Sequence, residues 1–181
     1  MRRQVNILSI VMILTPVLLQ AKGVYQTTDE FISGVFAGDP PASQKLWLNQ
    51  DLKDKIRVIL GHDLNVLRLR YWRRDDQTAW ILDEIGKERP ITTGIAVKAG
   101  KIDVLKILIF RESRGWEVRY PFFTDQFKQA TLTGDNQLDA PIDGISGATL
   151  SVNAVTKLAR LALIFDRYVM NNDDLNHGGT P

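Results

Sequence analysis

The sequence contains no cysteine and only two histidines, His62 and His177, among its 181 residues. Without cysteine there can be no disulfide scaffold, iron–sulfur cluster, thiolate zinc site, cysteine nucleophile or lipid-modified cysteine. Two histidines are too few for a multi-histidine metal or haem site, so we expect no metal.

The chain also has little net charge, because 23 basic residues are nearly balanced by 21 acidic ones. A nucleic-acid-binding role therefore has no overall electrostatic support. The chain is 44% hydrophobic and 24% charged, which is too apolar and too balanced in charge for a disordered protein. Its length is that of one ordinary domain with a real core.

Residues 1–21 have the pattern of a secretory signal peptide. A basic start, Met1-Arg2-Arg3-Gln4, precedes a mostly apolar run from Val5 to Leu19, and polar sequence follows. The run is shorter than the roughly 20 residues that a membrane-spanning helix needs. We therefore expect cleavage after Ala21 and a periplasmic or other extracytoplasmic location. The alternative is an uncleaved N-terminal membrane anchor.

The remaining sequence predicts a helical opening, a strand-rich middle and a closing helix. Acidic residues after Thr27 and Thr28 favour a first helix there. Apolar spacing then predicts the following elements: a helix over Ala42–Leu60 that ends at Gly61, strands over Asn65–Trp72, Thr78–Ile85, Ile91–Lys98 and Ile102–Phe110, and a helix over Ser151–Tyr168.

Short connections between the predicted strands favour an antiparallel sheet. The closing helix is apolar on most sides, so it is expected to pack against this sheet. The fold class is therefore α+β, with a domain over residues 22–170 and a flexible polar tail over residues 171–181.

One short segment carries most of the chemical information: Asp143-Gly144-Ile145-Ser146-Gly147-Ala148-Thr149. Its glycines permit a tight turn, and its small residues allow a ligand to approach the backbone closely. The segment opens the closing helix, where free N–H groups and the helix dipole favour a phosphate. The alternative from spacing alone is a helix start capped by a Thr or Ser side chain.

The same segment resembles the flavinylation motif of the FMN-binding domain family, in which an Asp and two further residues precede Ser/Thr-Gly-Ala-Thr. That family includes the small flavin subunits of sodium-pumping NADH:quinone reductase and of Rnf complexes. The resemblance implies covalent FMN, linked through its phosphate to Thr149 by a flavin transferase that uses FAD. It also implies cofactor contacts at the motif and at the next residue, namely Ser146, Gly147, Ala148 and Leu150. Asp143 is expected to be recognised by the transferase, or to stabilise the turn.

A weaker resemblance lies after the last predicted strand, in Arg111-Glu112-Ser113-Arg114-Gly115-Trp116-Glu117. The large complexes carry a Glu-Thr-Pro-Gly-Leu-Gly type of loop there, but the Pro and the second Gly are missing in this chain. The resemblance implies that Glu112, Ser113 and Trp116 lie near the isoalloxazine. For Trp116, covering the core at the end of a strand is the alternative.

Two functions follow. The first is an exported flavoprotein that relays electrons between a membrane redox donor and an extracytoplasmic acceptor, with membrane or periplasmic redox proteins as partners. We find no acid–base constellation for substrate-specific catalysis, so an electron carrier is favoured over a stand-alone oxidoreductase. The second is a flavin-free, extracytoplasmic partner-binding module in which the motif is only a helix cap.

Overall fold

A computed structural model of the chain describes residues 23–177, with side chains up to residue 172. The signal peptide predicted over residues 1–21, and the alternative membrane anchor, lie outside the described residues. Between residues 23 and 177, no helix is both long enough and apolar enough to cross a membrane.

The described chain is a five-stranded antiparallel sheet in the order β1-β2-β3-β4-β5, with helices on both faces. The predicted α+β class with a C-terminal helix is confirmed. The elements are α1 (Thr28–Val35), β1 (Gln44–Trp47), α2 (Gln50–Leu60), β2 (Arg68–Arg74), β3 (Gln77–Ile85), β4 (Pro90–Lys98), β5 (Lys101–Phe110), α3 (Pro121–Thr124) and α4 (Thr149–His177). Short 3₁₀ turns over Trp116–Arg119 and Asp125–Phe127 flank α3.

Strand β4 is buried on both faces, because α4 covers one side of the sheet and α1 the other. Phe31 of α1 lies directly on Gly94, where a Cβ atom would come within 2.8 Å of the phenyl ring. The larger hydrophobic core lies between the sheet and α4. It includes the fully buried Trp80, whose ring stacks on Tyr71 at 4.9 Å and contacts Phe165 at 5.4 Å.

A buried hydrogen-bond chain fixes α4 on the sheet. The Trp80 indole donates to Thr78 Oγ1 at 2.9 Å, and that hydroxyl donates to Asp166 Oδ1 at 2.6 Å. Burial raises the pKa of Asp166 to about 6, although the Thr78 hydrogen bond and Arg73 oppose the rise. Since buried residues of α4 from Val152 to Val169 also belong to the core cluster, the first turn of α4 has a defined position at the edge of the domain.

The helix predicted over Ala42–Leu60 is wrong over its first eight residues. That part contains the edge strand β1, and the helix begins only after Asn49, whose side chain accepts the Leu52 N–H at 2.9 Å. Leu46 and Leu48 are both buried, as alternate residues of an extended chain, although their spacing from the later apolar residues also fits a helix face. The predicted end at Gly61 is confirmed by its φ of +85°.

The other boundaries differ less. Strands β3, β4 and β5 each begin one residue before their predicted start. Strand β2 runs over Arg68–Arg74 rather than the predicted Asn65–Trp72, so it begins three residues later and ends two residues later. Helix α4 begins at Thr149, two residues before the predicted start, and continues to His177. Residues 171–177 of the predicted tail are therefore helical, and residues 178–181 lie outside the described part.

Candidate functional site

An open cleft of about 600 Å³ lies where three segments of the chain meet. These segments are the β3–β4 turn, the segment that follows β5, and the beginning of α4. Antiparallel pairing of β4 with both neighbours places the first two at the same end of the sheet. The lining residues are Lys87, Glu112, Ser113, Arg114, Gly147, Ala148, Thr149, Leu150 and Ser151.

The predicted motif forms the turn that leads into α4. The Ala148 N–H donates to the Ile145 carbonyl at 2.9 Å, and Gly147 has a φ of +78° in this turn, which favours glycine there. The Ala148 carbonyl then accepts the first helical hydrogen bond, from the Val152 N–H at 2.9 Å. Upstream, the Gln126 side chain accepts the Asp143 N–H at 2.7 Å and holds the motif against the 3₁₀ turn.

Helix α4 begins without a side-chain cap. Ala148 stands immediately before the first helical residue, and its side chain has no oxygen to accept the N–H groups of the first turn. Within the described residues, the hydroxyls of Ser146, Thr149 and Ser151 form no hydrogen bond. The motif therefore does not cap the helix through its own side chains, contrary to the simple cap alternative. Thr149 is exposed, so its hydroxyl is accessible.

The segment after β5 lies unusually close to this helix start. Gly115 has a φ of +82°, and a Cβ there would lie 2.6 Å from Ser151 Oγ and 3.3 Å from Ala148 Cβ. Glycine is needed for both the backbone angle and the space. The contact sets the width of the cleft, because it joins the segment that carries Glu112 to the turn that carries Thr149.

Glu112 organises the other wall. Its Oε1 accepts the backbone N–H groups of Lys87, Glu88 and Arg89, the latter two at 2.7 and 2.9 Å. Partial burial raises the pKa of Glu112, but these three hydrogen bonds and the positive charge of Lys87 together outweigh it and hold the pKa below its ordinary value. Glu112 therefore connects the β3–β4 turn to the segment after β5 as an anion.

Two cations in the cleft were missed by the sequence analysis. Lys87 lies in the turn held by Glu112, and its only ion pair in the described chain is an exposed one with Glu88 at 3.3 Å. Arg114 is exposed and has no ion pair with any described residue. The sequence could have indicated them, because Lys87 directly follows Gly86 and Arg114 directly follows Ser113. Both cations line a cleft with uncapped N–H groups, which favours an anionic ligand.

The structure brings most of the sequence-predicted residues together. The cleft lining contains Thr149, Gly147, Ala148, Leu150, Glu112 and Ser113, but not Ser146, Asp143 or Trp116. Asp143 is exposed, and its carboxylate accepts no hydrogen bond from a described residue, so the predicted turn-stabilising role is not found. Among residues 23–172, no three His, Asp or Glu side chains are grouped as metal ligands would be.

Trp116 begins the 3₁₀ turn just beyond the cleft. Its side chain is 40% exposed. The indole meets the Tyr120 ring edge-on at 5.7 Å, and the Arg119 guanidinium lies 5.1 Å from it. Contact between this indole and an isoalloxazine ring remains a prediction.

Replacing Glu112 with Gln should destabilise the protein at neutral pH, because a neutral amide is a weaker acceptor for three N–H donors. We expect a loss of about 1–3 kcal/mol in the free energy of unfolding at pH 7. Since the folded-state pKa is lowered, the stabilisation is complete above the unfolded pKa of about 4.3 and is lost as pH falls through the folded pKa. The difference between the two proteins should therefore shrink at acid pH. Urea unfolding at pH 7 and pH 3 measures it.

Glu88→Gln is the matched control, since Glu88 lies in the same turn but is exposed and pairs only with Lys87. Its loss should stay below about 1 kcal/mol at both pH values. Equal losses in the two variants at pH 7 would contradict the role assigned to Glu112.

Comparison with known proteins agrees with this geometry. Residues 86–164 match the family model of the FMN-binding domain, and this range runs from the β3–β4 turn into α4, through all three segments that form the cleft. No curated protein gives a significant match. The match over residues 86–164 supports the FMN-binding domain family for this part of the chain.

Proposed function

We propose that the protein is an exported electron-transfer flavoprotein whose FMN is linked covalently, through its phosphate, to Thr149. The observation that carries the proposal is the position of this residue. Thr149 is exposed, lines a cleft of about 600 Å³, and is the first residue of a helix without a side-chain cap. The cleft volume is within the range of small-molecule sites.

The residues around Thr149 suit a phosphodiester. Such a group keeps one negative charge, which the N–H groups of the first turn and the positive end of the helix dipole stabilise. Lys87 and Arg114 line the same cleft and add positive charge. Ala148 is 3% exposed and leaves the surface beside the Thr149 hydroxyl free of bulk.

The attachment needs a second enzyme. The Thr149 hydroxyl oxygen bonds to the FMN phosphorus of FAD, the bond between the two phosphates of FAD breaks, AMP leaves, and the hydroxyl proton is released. Thr149 is thus an attachment point and takes no part in turnover. The carboxylate of Asp143 is exposed and unpaired within the described residues, which suits recognition by a flavin transferase.

The ring system needs contacts of its own, since the ester holds only the phosphate end. Leu150 follows Thr149, lines the cleft, and is 50% exposed, so it offers an apolar surface to the ring. Glu112 holds the opposite wall in place through the β3–β4 turn. Together these residues orient a flavin that is already tethered.

Bound FMN exchanges one or two electrons, so the domain can connect a two-electron donor with a one-electron carrier. The cleft is open and shows no acid–base pair for proton transfer to a substrate, which favours a carrier over a substrate-specific oxidoreductase. We place its donor in the membrane and its acceptor outside the cytoplasm, because residues 1–21 have the pattern of an export signal. A covalent link prevents loss of the cofactor in that compartment.

The test is flavin fluorescence that survives denaturation. The chain is produced with and without an FMN-specific flavin transferase and is run on a denaturing gel. We expect a fluorescent band only with the transferase. A colourless band despite an active transferase, or flavin that separates from the chain on denaturation, would contradict the covalent link and leave non-covalent binding.

A further inference from the structure

Three aromatic side chains lie in a row on the surface beside the cleft. Trp116, Tyr120 and Phe122 are 40%, 37% and 62% exposed. Their ring centroids are 5.7 Å apart for Trp116 and Tyr120, and 6.1 Å apart for Tyr120 and Phe122. We call these three residues the aromatic row. A contiguous exposed aromatic group of this kind is typical of an interaction surface.

Arg119 is held among these rings. Its guanidinium lies 5.1 Å from the Trp116 ring, 4.8 Å from the Tyr120 ring and 4.4 Å from the Tyr25 ring. It forms no ion pair within the described chain. The adjoining groove of about 450 Å³ is lined by Lys106, Arg119 and Lys128 and by one acid, Asp125, which gives it a net charge of +2. The surface is thus both aromatic and basic.

The N-terminal end of the described chain is fixed at this same surface. Val24 pairs with Ile109 of β5, and the Gly23 carbonyl accepts the Phe110 N–H at 2.8 Å. A Cβ on Gly23 would lie 2.2 Å from the Phe110 carbonyl oxygen, so the backbone is closely packed here. Tyr25, two residues later, contacts Arg119.

The apolar run Val5–Leu19 ends four residues before Gly23. An extended chain spans at most about 3.5 Å per residue, so the four residue steps that separate the end of this run from Gly23 can span at most about 14 Å. If the run is retained, which is the alternative of an uncleaved membrane anchor, a bilayer that holds it must be close to the aromatic row. This short distance favours a lipid surface, rather than a soluble protein, as the partner of the aromatic row.

We infer that the aromatic row and Arg119 face the surface of the lipid bilayer that holds the retained run Val5–Leu19. Trp and Tyr side chains favour the level of the lipid headgroups, and basic side chains are attracted by anionic lipids. Gly115, beside the first turn of α4, immediately precedes Trp116. The flavin cleft therefore opens next to the membrane surface. The orientation does not depend on whether flavin is attached.

Brominated lipids test this orientation, because they quench tryptophans that approach the bilayer. The full chain, with Met1 retained, is made by cell-free synthesis in the presence of phosphatidylcholine vesicles that contain phosphatidylglycerol, with normal or brominated acyl chains. No transferase is added, since flavin would itself quench tryptophan. We expect Trp116→Phe to remove most of the quenching caused by bromine.

Trp47→Phe is the matched control. Trp47 is 60% exposed, but it lies on β1, at the opposite edge of the sheet from β5. This variant should keep the quenching of the parent. Adding Phe122→Trp to Trp116→Phe should restore quenching, and it also shows that the doubly substituted chain is folded. Quenching that survives Trp116→Phe, or that disappears with Trp47→Phe, would overturn the inference. Absence of quenching in vesicle-bound chain would also overturn it, and the aromatic row would then be assigned to a soluble protein partner.

Discussion

Thr149→Ala should abolish the covalent flavin completely while leaving the protein folded. The variant has no hydroxyl oxygen to bond to the FMN phosphorus. The Thr149 side chain is exposed and forms no hydrogen bond within the described residues, so its removal breaks no hydrogen bond there. Alanine is also the better helix former, by about 0.5 kcal/mol. We expect no fluorescence on a denaturing gel and a melting temperature within a few degrees of the flavin-free parent.

Two further variants separate attachment from local structure. Thr149→Ser keeps a hydroxyl at the same backbone position and should retain some flavin. Ser151→Ala removes the neighbouring hydroxyl, two residues into α4, and should be loaded like the parent. A fluorescent Thr149→Ala band, or loss of fluorescence in Ser151→Ala alone, would mean that the attachment site has been misassigned.

Gly115→Ala should destabilise the protein strongly. An L-residue at a φ of +82° costs about 1–2 kcal/mol, and the new Cβ would also come within 2.6 Å of Ser151 Oγ. Overpacking of this kind adds roughly 1–3 kcal/mol. We expect a total loss of about 2–5 kcal/mol in the free energy of unfolding, measured by urea denaturation. Flavin loading should fall as well, because relief of the contact moves the start of α4.

Gly100→Ala measures how much of this loss in the free energy of unfolding comes from the positive φ alone. Gly100 has a φ of +73° in the β4–β5 turn, and a Cβ there would meet nothing within 4 Å. Its loss should be about 1–2 kcal/mol, with normal loading. Combining Gly115→Ala with Ser151→Ala removes the shortest contact and should recover part of the difference. If Gly115→Ala and Gly100→Ala prove equally stable and equally loaded, the contact with α4 does not shape the cleft.

The sheet could be predicted from the sequence where local signals agreed. Strands β3, β4 and β5 have continuous apolar or β-branched character between polar, Gly-containing turns, so their boundaries were correct to within one residue. The edge strand β1 was missed because Leu46 and Leu48, followed by Leu52 and Ile56, also fit a helix face. Pairing with β2, which is a tertiary contact, decides the outcome.

Only those residues of the candidate site that lie within one local sequence motif could be predicted. The motif places Thr149 at the start of α4, because Gly147 allows the turn and the small Ala148 precedes the helix. Lys87 and Arg114 could not be assigned to the site in this way. They reach it only because antiparallel pairing brings the β3–β4 turn and the end of β5 to the same end of the sheet.

The role of Glu112 also depends on contacts between distant parts of the chain. Its resemblance to the family loop implied a place near the isoalloxazine, and it does line the cleft. Its three hydrogen bonds to the β3–β4 turn join residues more than twenty positions apart and carry no local sequence signal.

Mass spectrometry of one peptide tests the central claim most directly. Trypsin should release residues 129–157 from the chain produced with the transferase, because no Lys or Arg lies between Lys128 and Lys157. We predict that this peptide is heavier than its sequence by one FMN less one water, and that fragmentation places the addition on Thr149. An unmodified peptide, or an adduct on another of its hydroxyl residues, would contradict the account.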